Sequence, residues 1–310
     1  MTNSSPITGI ITIVLTVFAM ALTDAFVKYA SADITLWQIY VCRSVLALPV
    51  LALVANGRVW PKAVGWVTLR SLALVAMYLA IYAAIPLLDL SVVAAALYTG
   101  PLFILLLSAV FLSEQIKGLQ WIAVMVGFIG VLFVVRPNGA GFTALSLIPV
   151  IAAFLYALAA VLTRAKCQDE APASLAISLN LALVAVGLVA SSVLRLSPSI
   201  YAEAYPFLFG QWAGWTVRTL GILVVMAVLI VGVSIGLARA YQSPHPQVIA
   251  TFDYAYLIFA AFWGFVFFRE VPSLWTVMGI ALIVVAGLLV LASNKSARKT
   301  KLDKLPEDGI

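Results

Sequence analysis

Charged groups set inside otherwise apolar runs are the residues of this chain most able to do chemistry. Asp253 lies in the long apolar stretch 244–270, between aromatic residues that include Tyr254 and Tyr256. An ionised side chain in hydrocarbon is costly and usually faces a cavity or a charged partner. Arg239, on the preceding span, is the cation nearest to Asp253 in depth. Three roles for Asp253 stay open: a structural charge, a proton-coupling group, or a partner for a substrate amine.

A second charged group lies at the end of the first apolar run and in the run that follows. Asp24 and Lys28 are four residues apart, and Arg43 reaches toward the same depth from the next run. We expect a neutralised cluster that joins the first two helices, with Lys28 extending outward to the lipid headgroups. A proton relay is the alternative.

Tyrosines give the third set of candidates. Tyr78 and Tyr82 are four residues apart and share one face of a helix. They either stack on a substrate and offer it hydroxyls, or pack between helices with each hydroxyl bonded to a carbonyl. We expect both to lie within the span and not at the level of the lipid headgroups, which favours the pocket. The predicted substrate site is completed by Tyr98, Thr99, Tyr254, Met20 and Tyr156.

Catalytic and metal chemistry find little support in the sequence. The chain has one histidine and two well-separated cysteines, so no metal-ligand spacing is present. Glu114 and Glu270 each end an apolar run, but the topology below places them on opposite faces of the membrane. We therefore predict no enzyme, no cofactor and no metal site.

Composition fixes the class of protein. Of 310 residues, 64% are hydrophobic and only 10% are charged, with a mean hydropathy of +1.13. A soluble domain with so little charge could not cover its own surface. The net charge of +6 does not indicate nucleic-acid binding, because five of the cations lie in the tail 295–310, where they favour a cytoplasmic location beside anionic lipid.

Runs of apolar residues and the breaks between them predict ten membrane-spanning helices. An even number puts both termini in the cytoplasm, and the excess of lysine and arginine on that side agrees. We expect a multi-pass protein of a bacterial cytoplasmic membrane. The predicted spans are 7–29, 34–54, 65–85, 90–112, 118–135, 145–165, 173–194, 217–240, 246–268 and 273–292.

The two halves of the chain repeat one plan. Aligning Glu114 with Glu270 places Tyr98 on Tyr254, and an aromatic insertion at 197–215 accounts for the different offset of earlier spans. Five helices per half is an odd number, so the repeats enter the membrane in opposite orientations, and inverted repeats of transporters hold substrate near the midplane. The predicted units are repeats 1–140 and 141–294 and a basic tail 295–310. We expect the insertion to lie flat in the outer interface.

These features together resemble the EamA branch of the drug/metabolite transporter superfamily. The resemblance rests on the five-plus-five plan, the end of the first helix from Asp24 to Lys28, Arg43, Pro101 in the fourth span, and the helix-ending acids. It implies an all-α membrane protein of ten transmembrane helices, two inverted repeats around a central cavity. Aromatic enrichment looks most like exporters of aromatic amino acids of the YddG type. Leu257 stands where the family has a second proline.

The expected function is a secondary transporter that exports aromatic and other small neutral amino acids by alternating access. Few cations lie at midspan, which disfavours sugar phosphates and other polyanions. A multidrug or other small-metabolite exporter on the same scaffold is the alternative. An intramembrane enzyme and a non-transporting scaffold are the rivals from other classes. Membrane lipid is the expected surrounding, and a monomer and a homodimer both stay open.

Overall fold

A computed structural model describes residues 6–111, 118–135, 144–241, 252 and 254–302. The regular secondary structure in these ranges is entirely helical. A short 3-10 helix, Ala144–Leu147, leads into the seventh α-helix. The α-helices, numbered in chain order, are α1 Pro6–Ala30, α2 Leu36–Val54, α3 Val64–Ala84, α4 Leu90–Leu97, α5 Gly100–Phe111, α6 Gly118–Val135, α7 Ile148–Lys166, α8 Pro172–Leu196, α9 Pro206–Phe209, α10 Val217–Tyr241, α11 Ala255–Phe268 and α12 Leu274–Leu302.

Helices are the elements expected from these apolar runs, because hydrocarbon offers the backbone no other hydrogen-bond partner. Within the described residues, six helical segments are long and apolar enough to cross a membrane, and α4 and α5 together form one of them. Shorter apolar helices cover 148–163, 217–233, 255–268 and 274–289. The all-helical membrane class is confirmed. The count of ten spans and their division into repeats 1–140 and 141–294 remain predictions.

The fourth predicted span is interrupted. α4 ends at Leu97, Tyr98 is its C-cap, and α5 begins at Gly100. Pro101 then occupies the first turn of α5, where its missing N–H leaves no bond unmade. In the ninth predicted span, residues 246–251 and Asp253 lie outside the described residues, and α11 starts at Ala255 with Tyr254 as its N-cap.

The most extensive helix contacts join residues 6–135 to residues 144–302. α6 lies along α12, α3 along α7, α2 along α8, and α1 along both α10 and α11. The approach of α6 to α12 is close because glycines face each other: a Cβ on Gly130 would come within 2.9 Å of the Gly279 carbonyl oxygen. The two parts of the chain therefore form one shared interface.

The helix bundle has two distinguishable ends. α1 and α11 end, and α4 begins, at what we call the Lys28 end. The α2–α3 and α7–α8 connections meet at the opposite end, called here the Glu170 end. The aromatic insertion is docked at the Lys28 end: the Trp37 indole donates to the Leu208 carbonyl (2.7 Å), and Gln38 exchanges two 3.2 Å hydrogen bonds with the Ala213 backbone. Its predicted position in the membrane interface stays a prediction.

Candidate functional site

A guanidinium surrounded by tyrosines lies between α2 and α3. Arg43 is 1% exposed, and its Nη1 donates to the Tyr82 hydroxyl at 3.0 Å. Its guanidinium carbon lies 5.9 Å from the centre of the Tyr78 ring and 5.7 Å from that of Tyr82. The spacing of four residues brings the two tyrosines together as predicted, with ring centres 5.5 Å apart. We call these residues, with Tyr40, the Arg43 cluster.

The Arg43 cluster contains polar atoms without partners. The Tyr40 ring packs edge-on against Tyr82, with centres 6.2 Å apart, and Tyr40 lies one turn before Arg43 on α2. Its buried hydroxyl and the buried Nε of Arg43 both lack a hydrogen-bond partner. Buried polar groups are nearly always satisfied, so each exception needs an explanation such as a ligand or an ordered water.

Asp24 completes the charges near this cluster. Its carboxylate accepts a hydrogen bond from the hydroxyl of Tyr256 on α11, and the side chain is half-buried. The positive charge of Arg43 acts electrostatically on Asp24. However, no carboxylate oxygen of a described residue lies within 4.0 Å of an Arg43 nitrogen. The two opposite charges therefore form no direct ion pair.

A second aromatic group covers the break between α4 and α5. The ring of Tyr98 lies 5.5 Å from that of Tyr254 and stacks on that of Tyr256 at 5.1 Å. The Thr99 hydroxyl donates to the Ala96 carbonyl at 2.6 Å and helps to close the end of α4. Met20 of α1 packs against the same group. Because Tyr256 also reaches Asp24, this group adjoins the charged region.

Tyr156 is carried by a helix other than the two that form the Arg43 cluster. It lies on α7 with its ring against Gly100 of α5, and it is 42% exposed. On α3, Nε of Arg70 donates to Thr163 of α7 at 2.7 Å, while its buried Nη1 has no partner. Tyr156 lies near the middle of α7, beside the break between α4 and α5.

Lys28 pairs differently from the sequence expectation. Instead of reaching outward or joining Asp24, it forms an ion pair with Glu270 and donates to the Leu88 carbonyl at 2.6 Å. The second oxygen of Glu270 accepts from the Leu90 N–H, at the start of α4, at 2.8 Å. Both side chains are largely buried, 13% and 11% exposed. We call these four residues the Lys28 cluster.

The opposite end has an acidic contact of its own. Glu170, in the α7–α8 connection, accepts hydrogen bonds from the backbone N–H groups of Lys62 (3.0 Å) and Ala63 (2.6 Å). These bonds to the ionised form lower the pKa of the Glu170 carboxyl. The carboxylate thus bridges the two connections at this end.

The structure brings together most of the residues that the sequence singled out, in three groups. Arg43 joins the Tyr78–Tyr82 pair, Asp24 joins Tyr256, and Tyr98 joins Tyr254. Lys28 belongs to a separate cluster, and Asp253 lies outside the described residues. Sequence reasoning missed Tyr40, Tyr256 and Glu270 as partners; only Tyr40 left a local signal, its spacing of three residues from Arg43. Among the described residues, no three His, Cys, Asp or Glu side chains converge to offer a metal site.

Comparison with known proteins finds transporters. Residues 7–136 match the EamA-like transporter family. The pseudopaline exporter of Pseudomonas aeruginosa is 26% identical over 93% of this chain and 97% of its own length. The riboflavin transporter of Brucella anthropi is 27% identical, covering 87% and 91%. The S-adenosylmethionine uptake transporter of Rickettsia bellii is 24% identical, covering 66% and 65%.

One solved crystal structure has the same fold, with a TM-score of 0.60 over 91% of this chain and 94% of its own, at 16% sequence identity. The match of residues 7–136 supports the resemblance to the EamA branch, while the names of the relatives do not single out aromatic amino acids. They name transporters and not enzymes. The chain is a multi-pass membrane protein and a small-molecule transporter, and its residues 7–136 match the EamA-like transporter family.

Proposed function

We propose that this protein exports amino acids, aromatic ones included, across a bacterial cytoplasmic membrane by alternating access. The observation that carries the proposal is the Arg43 cluster beside Asp24: two unmatched opposite charges among stacked tyrosines, at the interface of the two parts of the chain. Tyrosine rings supply stacking surface and hydroxyls, and the charges supply recognition of a small polar headgroup.

The proposal includes two inverted repeats of five spans each. If the halves exchange, α1 corresponds to α7, α2 to α8, α3 to α10, α4–α5 to α11, and α6 to α12. The contact between α3 and α7 then corresponds to the contact between α1 and α10. In the same way, the contact between α3 and α8 corresponds to the contact between α2 and α10. Tyr98 and Tyr254, matched in the sequence, touch each other as a pair on the symmetry axis must. This pattern supports the repeat, in which broken helices hold the substrate.

The membrane orientation is part of the same proposal. With the N-terminus and the basic tail 295–310 in the cytoplasm, the Lys28 end is external and the Glu170 end is cytoplasmic. The Lys28 cluster would then close the external side, and the movement that opens it would release substrate outward.

The relatives' names supply a second candidate. They transport pseudopaline, riboflavin and S-adenosylmethionine, so export of another small metabolite on the same scaffold is the alternative to amino-acid export. S-adenosylmethionine is itself an amino-acid derivative, which favours a site that recognises an amino-acid headgroup.

Purified protein in proteoliposomes tests the proposal directly. Counterflow of labelled phenylalanine, leucine, riboflavin and a nucleotide sugar would be measured with and without a pH gradient. We expect the amino acids to move and the nucleotide sugar to be excluded. Replacing Tyr82 by Phe should reduce amino-acid counterflow, while Tyr201→Phe, in the exposed insertion, serves as the matched control. Transport of riboflavin but not of phenylalanine would contradict amino-acid export and support the alternative, export of another small metabolite.

A further inference from the structure

Two buried polar atoms of the Arg43 cluster have no hydrogen-bond partner. Nε of Arg43 and the Tyr40 hydroxyl are buried donors that no described group uses. Arginine presents its donors in a fixed planar fork, which suits the two oxygens of a carboxylate. Tyr82 already occupies Nη1, so the guanidinium is held in one orientation with its Nε edge unused. The cluster therefore offers a carboxylate an oriented set of donors.

Asp24 supplies the complementary charge. The Tyr256 hydroxyl is the one hydrogen-bond donor to this carboxylate among the described groups, and an ionised carboxylate has about four acceptor positions. Asp24 is half-buried, whereas Arg43 is almost completely buried. Acceptor positions thus remain for the N–H groups of an ammonium.

The separation of the two charges is the informative feature. Opposite charges taken out of water normally pair directly, because isolated ions are costly to bury. Here each is instead held by a different tyrosine, Arg43 by Tyr82 and Asp24 by Tyr256, on different helices. A ligand that carries both charges would satisfy both groups at once.

We propose that Asp24 and Arg43 form a subsite for the zwitterionic headgroup of an α-amino acid. The carboxylate binds Nε of Arg43 and the Tyr40 hydroxyl, and the ammonium binds Asp24. The proposal deepens the proposed function and rests on it, because it assigns the chemistry by which the same site recognises its substrate. The side chain of the amino acid would lie on the rings of Tyr78 and Tyr82.

Substrate analogues give the first test in the unmodified protein. Phenylalanine, phenethylamine, which lacks the carboxylate, and 3-phenylpropionate, which lacks the ammonium, would compete with labelled phenylalanine in counterflow. We expect each analogue to bind at least about 10-fold more weakly than phenylalanine, because each leaves one buried charge unmatched. Equal competition by all three would overturn the subsite while leaving amino-acid transport standing.

Variants of Asp24 and Arg43 identify which residue binds which charged group of the ligand. Asp24→Asn should reduce the difference in binding affinity between phenylalanine and 3-phenylpropionate. The variant lacks the carboxylate that repels a ligand carrying only a negative charge. Arg43→Gln should likewise reduce the difference in binding affinity between phenylalanine and phenethylamine. Asp169→Asn and Arg58→Gln, both exposed, are the matched controls and should leave both ratios unchanged. Equal loss for all three ligands in both variants would mean a structural role and overturn the assignment.

A binding measurement separates this inference from the proposed function. The thermal unfolding temperature of the detergent-purified protein would be recorded with each of the three ligands, which requires no transport and no intact variant. Stabilisation by phenylalanine but by neither analogue supports the subsite even if counterflow fails for another reason. Absence of stabilisation by phenylalanine, together with absence of its counterflow, would overturn both proposals.

Discussion

Asp24 and Lys28 lie one helical turn apart on α1, and the charged groups around them differ in how completely their polar atoms are satisfied. In the Lys28 cluster, the ammonium contacts both Glu270 and the Leu88 carbonyl, and each oxygen of Glu270 has its own donor. In the Arg43 cluster and at Asp24, each charge has a single hydrogen bond to a tyrosine, and buried donors remain unused.

The difference separates a structural role from a binding role. A satisfied buried network fixes the elements that carry it, and Glu270 joins the end of α11 to the first N–H of α4 and to the end of α1. Asp89, the N-cap of α4, makes no side-chain cap, so Glu270 supplies the negative group that a helix N-terminus favours. In the proposed subsite, the incompletely satisfied Arg43 cluster keeps its unused donors for a ligand.

Removal of Glu270 is expected to have the largest effect on stability. Glu270→Ala leaves the largely buried Lys28 ammonium without its counter-ion and the Leu90 N–H without its acceptor, so we expect a loss of about 3 kcal/mol in the free energy of unfolding. SDS-titrated unfolding in mixed micelles measures this. Glu203→Ala, in the exposed insertion, is the control, and a loss no larger than that of the control would show that the Lys28 cluster is not structural.

Exchanging the charges sharpens the same point. In a simple ion pair, Lys28→Glu combined with Glu270→Lys would restore stability. Here the Leu88 carbonyl requires a donor and the Leu90 N–H requires an acceptor, and these backbone groups do not change sign. We expect the double variant to remain at least about 2 kcal/mol less stable than the wild type in the same unfolding experiment. Full recovery of wild-type stability in the double variant would show that only the ion pair, and not the backbone hydrogen bonds, contributes to the stability of this cluster.

Arg43 is expected to behave in the opposite way, with little effect on stability. Arg43→Met removes a buried charge that has no counter-ion within 4.0 Å among the described residues, at the loss of one hydrogen bond to Tyr82. The relief from desolvation offsets that loss, so we expect a change within about 1 kcal/mol in either direction. Amino-acid counterflow should nevertheless fall sharply. A stability loss as large as that of Glu270→Ala would remove the contrast between the two clusters.

The sequence predicted what local spacing controls and failed where distant elements meet. The spacing of Tyr78 and Tyr82 placed them on one face, and the ends of most helices followed from the breaks between apolar runs. The pairing of Lys28 with Glu270 joins residues 242 positions apart, and helical periodicity carries no information about that distance. The predicted topology did indicate that the pairing was feasible, because it placed Lys28 and Glu270 at the same face of the membrane.

The break in the fourth span shows the same limit. Pro101 indicated a bend, and the structure places the interruption just before it, at Tyr98 and Thr99. Leu257 replaces the second proline, so the sequence offered no breaker in α11, yet Tyr254 stands at the helix start in contact with Tyr98. Contact with the other part of the chain, rather than local propensity, positions that tyrosine.

Glu170 extends the comparison to the opposite end and should give the smallest effect. Like Glu270, it accepts N–H bonds from a distant connection, but it is accessible to water and has no buried counter-ion. Its pKa is lowered in the folded state by the Ala63 and Lys62 N–H groups, so its contribution is present above the ordinary pKa of 4.5 and is lost as the pH falls through the lowered value. The unfolding temperatures of wild type and Glu170→Gln should therefore differ slightly near neutral pH and converge in acid, while Glu203→Gln shows no such trend. A difference that grows on acidification would mean that the protonated carboxyl, not the carboxylate, holds the two connections together.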